Sequence, residues 1–177
     1  MNSENQEQQT IYLKAGEMVF SGEHSAVMTV LGSCLTVTMF HRRSGFAAIS
    51  HALLPRCPKR QHCGARCGQQ AKYVECIVPW MVRQFNETGA HLREIEVKVF
   101  GGADMFSSTG KGGAALSIGK QNIEAALEAV EKAGLRVLSR DVGGTQGRKI
   151  FFNTETGEVL LKRLQPNVTL VEEGELG

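Results

Sequence analysis

Thr29-Val30-Leu31-Gly32-Ser33-Cys34-Leu35-Thr36-Val37-Thr38-Met39-Phe40 joins the end of one apolar segment to the start of another across Gly32-Ser33. From Cys34 onward the residues alternate. Leu35, Val37 and Met39 fall on one face of a strand, and Cys34, Thr36 and Thr38 fall on the other. Gly32-Ser33 interrupts the run, so Val27 to Leu31 reads as a separate short strand. If the aliphatic set faces the main core, Cys34 projects to the more polar side, where a nucleophile is useful.

Working outward, Gly45 to His51 reads as a second strand, joined to the first as a hairpin through His41-Arg42-Arg43-Ser44. Such pairing brings His51 toward Cys34, with the register left open. A thiol nucleophile needs a base, and the base usually needs an orienting group. Cys34, His51 and Thr29 supply the three residue types. The competing reading is a buried, inert strand cysteine, because free Cys is among the most buried residue types.

The rest of the chain reads as mixed α and β. Met18 to Phe20 is a short strand. Tyr73, Val74, Ile77, Val78, Met81, Val82 and Phe85 recur at helical spacing up to Gly89. Pro79 inside that pattern predicts a kink or a helix beginning near it. Ile95 to Phe100 is a strand running into Gly101-Gly102, and Ser107 to Gly113 is a flexible loop. A second helix is expected over about 122–133, with Ile123, Ala126, Leu127 and Val130 inward, Asn122 as its N-cap and Gly134 at its end. Arg136 to Leu138, Lys149 to Phe152 and Val159 to Lys162 complete the strands. The glycines at 101, 102, 143 and 144 permit tight turns or positive φ near a cleft. Arg148 is either a surface charge or a partner of Asp104 or Asp141. His24, His41 and His91 read as exposed loop or edge residues.

The chain has 177 residues, 42% hydrophobic and 21% charged, with a net charge of +2. That balance suits one globular domain and gives no electrostatic argument for nucleic acid or a membrane surface. Residues 1–9 lack the apolar core of a secretory signal. The longest mostly apolar stretch, Ala26 to Phe40, is interrupted by polar residues and too short for membrane insertion. A cytoplasmic protein is expected. The five cysteines, Cys34, Cys57, Cys63, Cys67 and Cys76, are then not a disulfide framework.

Five blocks, in order, carry a resemblance: Thr29-Val30-Leu31-Gly32-Ser33-Cys34; Ser50-His51-Ala52-Leu53-Leu54-Pro55; Lys98-Val99-Phe100-Gly101-Gly102-Ala103-Asp104-Met105; Ile118-Gly119-Lys120-Gln121-Asn122; and Gly143-Gly144-Thr145-Gln146-Gly147-Arg148-Lys149-Ile150. Together they resemble the chemoreceptor glutamine deamidase family, CheD. The resemblance implies an α+β fold in one domain. Packed β-sheets are flanked by helices in an α/β sandwich, similar to the cytotoxic necrotizing factor deamidase domain. Around the deamidase domain expected over 11–170, the polar residues 1–10 read as a disordered tail and the acidic residues 171–177 as a frayed one.

The resemblance also places the family's catalytic cysteine on Cys34, its histidine on His51 and its threonine on Thr29. Ser33 and Gly102 are candidate substrate or oxyanion contacts. The implied activity is hydrolysis of glutamine side chains on the cytoplasmic helices of methyl-accepting chemotaxis receptors, through a cysteine thioester, with no cofactor and no metal. The family resemblance also permits an adaptor that docks receptors or stimulates a CheC-type phosphatase, with catalysis secondary; Cys34, His51 and Thr29 together favour the deamidase, because docking alone needs no thiol. A relative that hydrolyses another acyl substrate, such as a methyl ester, is a third reading.

Residues 56–68 depart from the family pattern. Cys57, His62, Cys63 and Cys67 sit there among Arg56, Lys59, Arg60 and Arg66. The spacing matches no common zinc motif, so a basic surface loop that approaches an acidic partner is the expectation.

Overall fold

The computed structural model describes residues 10–58, 68–104 and 117–165. Nine strands and two helices run in the order β1 (Thr10–Tyr12), β2 (Met18–Ser21), β3 (Ala26–Leu31), β4 (Leu35–His41), β5 (Phe46–Ser50), α1 (Val74–Glu87), β6 (Ile95–Gly101), α2 (Ile118–Lys132), β7 (Val137–Val142), β8 (Arg148–Asn153) and β9 (Val159–Arg163). They form two mixed sheets, ordered β1-β3-β8-β9 and β2-β5-β4-β6-β7. The fold is α+β in a single domain, as the family resemblance implied.

β4 is the hinge of the architecture, because all seven of its residues are buried. Leu35, Val37 and Met39 pack with the apolar faces of α1 and α2. Phe40, on the alternate face, joins Val27, Ile49 and Phe152 in the seam between the sheets. The layers therefore run sheet, sheet, helices, with both helices on the same side. The face read as polar is not solvated: Thr36 and Thr38 are fully buried in that seam. A central strand covered on both faces reads as near-continuous burial, and threonine tolerates it because its methyl packs like valine's.

The α1 pattern is fully realised: Val74, Ile77, Val78, Met81, Val82 and Phe85 are all buried. Each large aliphatic or aromatic side chain so placed contributes about 1.5–3 kcal/mol relative to exposure. Pro79 does not start the helix. It sits inside, on the exposed face, and the helix begins at Val74.

The second helix begins earlier than its apolar pattern suggests. Ser117 is its N-cap, its hydroxyl accepting from the Lys120 amide at 3.4 Å, and Asn122 is instead fully buried within the helix. β1, parallel to β3, had no signal in the sequence and begins at Thr10, inside the expected tail. β7 extends four residues past Leu138. The tail over 171–177, the loop over 107–113, and His62, Cys63 and Cys67 lie outside the described residues.

Of the two readings of Arg148 the structure takes the pairing with Asp141, whereas His41 departs from expectation. Arg148 is buried and donates to Asp141 at 2.6 Å and to the Gly143 and Gln146 carbonyls at 2.7 and 3.1 Å. His41 is 4% exposed rather than an edge residue. No helix among the described residues is long and apolar enough to cross a membrane.

Candidate active site

Register puts the three candidate residues together. β4 and β5 pair antiparallel with Thr38 opposite Ile49, and the pairing closes at an isolated bridge between Leu35 and Ala52. The Leu35 and Ala52 amides exchange hydrogen bonds of 2.9 and 2.8 Å. Cys34 stands one residue before this bridge on its strand, and His51 one residue before it on the other. Alternation puts both on the face opposite Leu35 and Ala52, as a diagonal pair. That face is the inter-sheet seam, where half-buried Cys34 packs against Leu31, Phe100 and Ile150.

Thr29 reaches the site from the other sheet. Its hydroxyl lies 2.7 Å from His51 Nδ1 and 2.8 Å from the Leu13 carbonyl. A carbonyl can only accept, so the hydroxyl proton goes to Leu13 and the Thr29 oxygen must accept from His51. The imidazole is thereby held as the Nδ1–H tautomer. Its Nε2 is left with a lone pair and makes no hydrogen bond among the described residues. The backbone of His51 is pinned as well, its amide donating to Glu17 at 2.9 Å and its carbonyl accepting from Gly16 at 2.8 Å.

Burial sets the charge state. It pushes the Cys34 thiol above its ordinary value, opposed by the hydrogen bond from its own backbone amide. It pushes the His51 imidazole below its ordinary value, opposed by the Leu13 backbone and by the charge of Glu17. At neutral pH the resting pair is thiol and neutral imidazole. Such a pair forms its ion pair only when a proton moves during attack.

The turn carrying Cys34 is held from behind at three consecutive carbonyls. Gly32 accepts from the Ala103 amide at 2.9 Å, Ser33 from Asn122 Nδ2 at 2.9 Å, and Cys34 from the Gly102 amide at 2.8 Å. Gly101 and Gly102 have φ of 110 and 67 degrees. A Cβ on Gly101 would collide with the Cys34 carbonyl, and one on Gly102 with Ile123 and the Gly119 carbonyl. Both positions need glycine for the close approach as well as for the conformation. Gly143, kept in place through Arg148, donates to the Gly101 carbonyl at 2.9 Å.

Gly102 thus serves the turn with its amide, and that amide is engaged rather than open to a ligand. By contrast, the Ser33 amide donates to no acceptor among the described residues, and the Cys34 amide donates only to its own Sγ. Asn122, Leu13 and Gly119 belong to this site and were not found from sequence. A polar residue at the spacing of an apolar helix face was the signal at Asn122; a backbone carbonyl such as Leu13 leaves none.

A model of the CheD family, described as CheD chemotactic sensory transduction, matches residues 53–163. A probable chemoreceptor glutamine deamidase CheD 2 of Geobacter sulfurreducens is 44% identical over 154 residues, which is 87% of this chain and 89% of that protein. A probable chemoreceptor glutamine deamidase CheD of Maridesulfovibrio salexigens is 37% identical over 89% of this chain and 94% of its own length. The chain belongs to the CheD family. Among solved structures, the hypothetical protein YfiH of Bacillus licheniformis overlaps 73% of this chain and 51% of that chain, at a TM-score of 0.48 and 10% identity.

The span matched by the CheD model contains Gly101, Gly102, Asn122 and Arg148, the residues behind the turn. Thr29, Cys34 and His51 lie ahead of it. Their grouping into a site rests on the hydrogen bonds and register described above.

Proposed function

We propose that this protein is a cysteine-dependent protein-glutamine deamidase. It acts in the cytoplasm on glutamines in the helices of chemoreceptors and produces the glutamates that adaptation then methylates. The relatives' names support the activity and the substrate. The observation that carries the chemistry is Thr29 hydrogen-bonded to both Leu13 and His51, which leaves Nε2 basic on the face that holds Cys34.

The reaction follows from that tautomer. Cys34 Sγ attacks the side-chain amide carbon, a C–S bond forms, and the thiol proton passes to His51 Nε2. The tetrahedral oxyanion collapses, the C–N bond breaks, and Nε2 returns the proton to the leaving amine as ammonia departs. Water then attacks the thioester and gives its proton to Nε2. The second tetrahedral intermediate collapses, the C–S bond breaks, Nε2 returns its proton to Sγ, and the glutamate carboxyl leaves and ionises. Thr29 keeps Nε2 facing the thiol and stabilises the imidazolium through its oxygen, a neutral counterpart to the aspartate of serine hydrolases.

The test is incubation of a receptor cytoplasmic fragment with the full-length protein, reading ammonia release and glutamine-to-glutamate conversion by peptide mass. Cys34→Ala should abolish both while remaining folded. Near-normal turnover by that variant removes Cys34 from the chemistry. Retained receptor binding by it without conversion fits the deamidase reading, and binding with no conversion by the native protein supports the adaptor role instead.

A further inference from the structure

We infer that Asn122 is a positioning residue for the reaction, a clamp that fixes the peptide before Cys34 so that the Cys34 amide faces the substrate oxyanion. The inference rests on the deamidase reading above. Asn122 is fully buried in α2. Its Nδ2 donates to two carbonyls from different parts of the chain, Ser33 at 2.9 Å and Leu53 at 3.0 Å. Both partners are carbonyls and can only accept, so the amide nitrogen must face them. One side chain therefore ties the turn that carries the nucleophile to the segment that follows His51.

The cost of this arrangement is visible. Asn122 Oδ1 is buried with no hydrogen-bond partner among the described residues. An unpaired buried polar atom is destabilising, and such groups are rare in native proteins. An alanine, like the neighbouring buried Ala125, Ala126 and Ala129 of the same helix, would avoid that cost. Asparagine is retained where packing alone would favour a small apolar residue.

Peptide geometry gives the consequence. In a planar trans peptide the carbonyl and the following N–H point in opposite directions. With the Ser33 carbonyl held toward α2 by Asn122, the Cys34 N–H points away from α2. With the Gly32 carbonyl held by the Ala103 amide, the Ser33 N–H points away from Ala103. Neither amide is tied to another residue: the Ser33 N–H has no acceptor among the described residues, and the Cys34 N–H reaches only its own Sγ, which it leaves once that sulfur is bonded to the substrate carbon. They are the pair of donors that a tetrahedral oxyanion on the Cys34-bound carbon requires. If the Asn122 bond is lost, the Ser33–Cys34 peptide is free to rotate, and one donor turns out of place.

The experiment compares two readouts in the full-length protein. Deamidation of a receptor fragment needs the oxyanion donors. Alkylation of Cys34 by iodoacetamide, followed on the Cys34 peptide by mass, is a displacement at saturated carbon and does not. Asn122→Ala should lower kcat by about 10²-fold, the scale of losing one oxyanion donor. Its Cys34 alkylation rate should stay within about threefold of native, because thiolate formation is untouched. Asn122→Asp, protonated in its buried seat, keeps one donor and should fall between Ala and native.

Equal losses in deamidation and alkylation, or a folded Asn122→Ala with near-native kcat, overturn the clamp. So does failure of both variants to fold, which would make Asn122 a folding residue. If the native protein itself releases no ammonia, the deamidase reading falls and the clamp with it. An active native protein alongside an active Asn122→Ala overturns the clamp alone.

Discussion

His41 and His51 stand at opposite ends of the same hairpin, and both are buried, at 4% and 5% exposed. They are held in opposite tautomers. At His41 the Ser44 amide donates to Nδ1 at 3.3 Å, so Nδ1 accepts and Nε2–H goes to Glu94 at 3.0 Å. Both ring nitrogens are used, one of them by a carboxylate. At His51 the Thr29 oxygen takes Nδ1–H and Nε2 is left basic. Burial therefore does not distinguish a histidine whose two ring nitrogens are both engaged from one that keeps a nitrogen open. The two differ also in whether the orienting partner is charged.

That contrast is most sharply tested by deleting each ring. His51→Ala should lower deamidation by about 10²–10⁴-fold, the span of a lost general acid–base. His41→Ala should leave kcat near native and lower the melting temperature, since it empties a buried position, removes one of the two partners of Glu94 and unties the turn. A large kcat loss at His41 would break the comparison.

The orienting partners come next. Thr29→Val keeps the shape but leaves the Leu13 carbonyl and the His51 Nδ1–H unpaired, at a cost of about 1–3 kcal/mol each if they stay buried. Deamidation should fall by about 10-fold or more, and Thr29→Ser should restore most of it. Ser44→Ala at the other end should leave kcat unchanged. Failure of Thr29→Ser to rescue would argue that Thr29 acts by packing and not through its hydroxyl.

The pH dependences have different signs and windows. His51 titrates below its ordinary 6.5, so the unfolded chain binds the proton more readily than the folded one. Its contribution to stability is whole above that value and declines as pH falls below it, and the acid limb of kcat should lie there too. Glu94 is pulled below its ordinary 4.5, first by the His41 hydrogen bond and then by Arg43. Its contribution is present above that value and lost only as pH falls further. Urea midpoints across this range, in native and His41→Ala proteins, separate the two. An acid limb of kcat above pH 6.5 would contradict a buried neutral base.

The smallest effects belong to the cysteine-rich segment. Cys57 is buried, its amide donating to Glu75 at 2.6 Å, and Arg56 pairs with Glu75 and Glu128 rather than projecting toward a partner. Cys57→Ser buries a hydroxyl and should lower the melting temperature by a few degrees, about 1 kcal/mol. Replacing Cys63 and Cys67 together should change neither stability nor turnover. Stoichiometric zinc in the purified protein, with a fall in stability on chelation, would make the segment a metal-organised element.

The sequence by itself determined the elements with strong periodicity. The α1 face from Val74 to Phe85, the alternation of β4 and the breaks at Gly32, Gly45 and Gly101 are all local. Local signals survive because side-chain direction repeats with the backbone. The residue types of Cys34, His51 and Thr29 were also legible there. What only the tertiary structure decided is everything that depends on register and on the approach of distant backbone. The bridge between Leu35 and Ala52 sets the face shared by Cys34 and His51, and a slip of one residue would have put them on opposite faces. The carbonyl of Leu13, a property of every residue type, fixes the tautomer of His51. Asn122 reads as a cap in isolation, and the early start of α2 at Ile118 turns it into a clamp. Backbone groups carry no sequence signature, so their role in the site emerges only when the chain brings them within hydrogen-bonding distance.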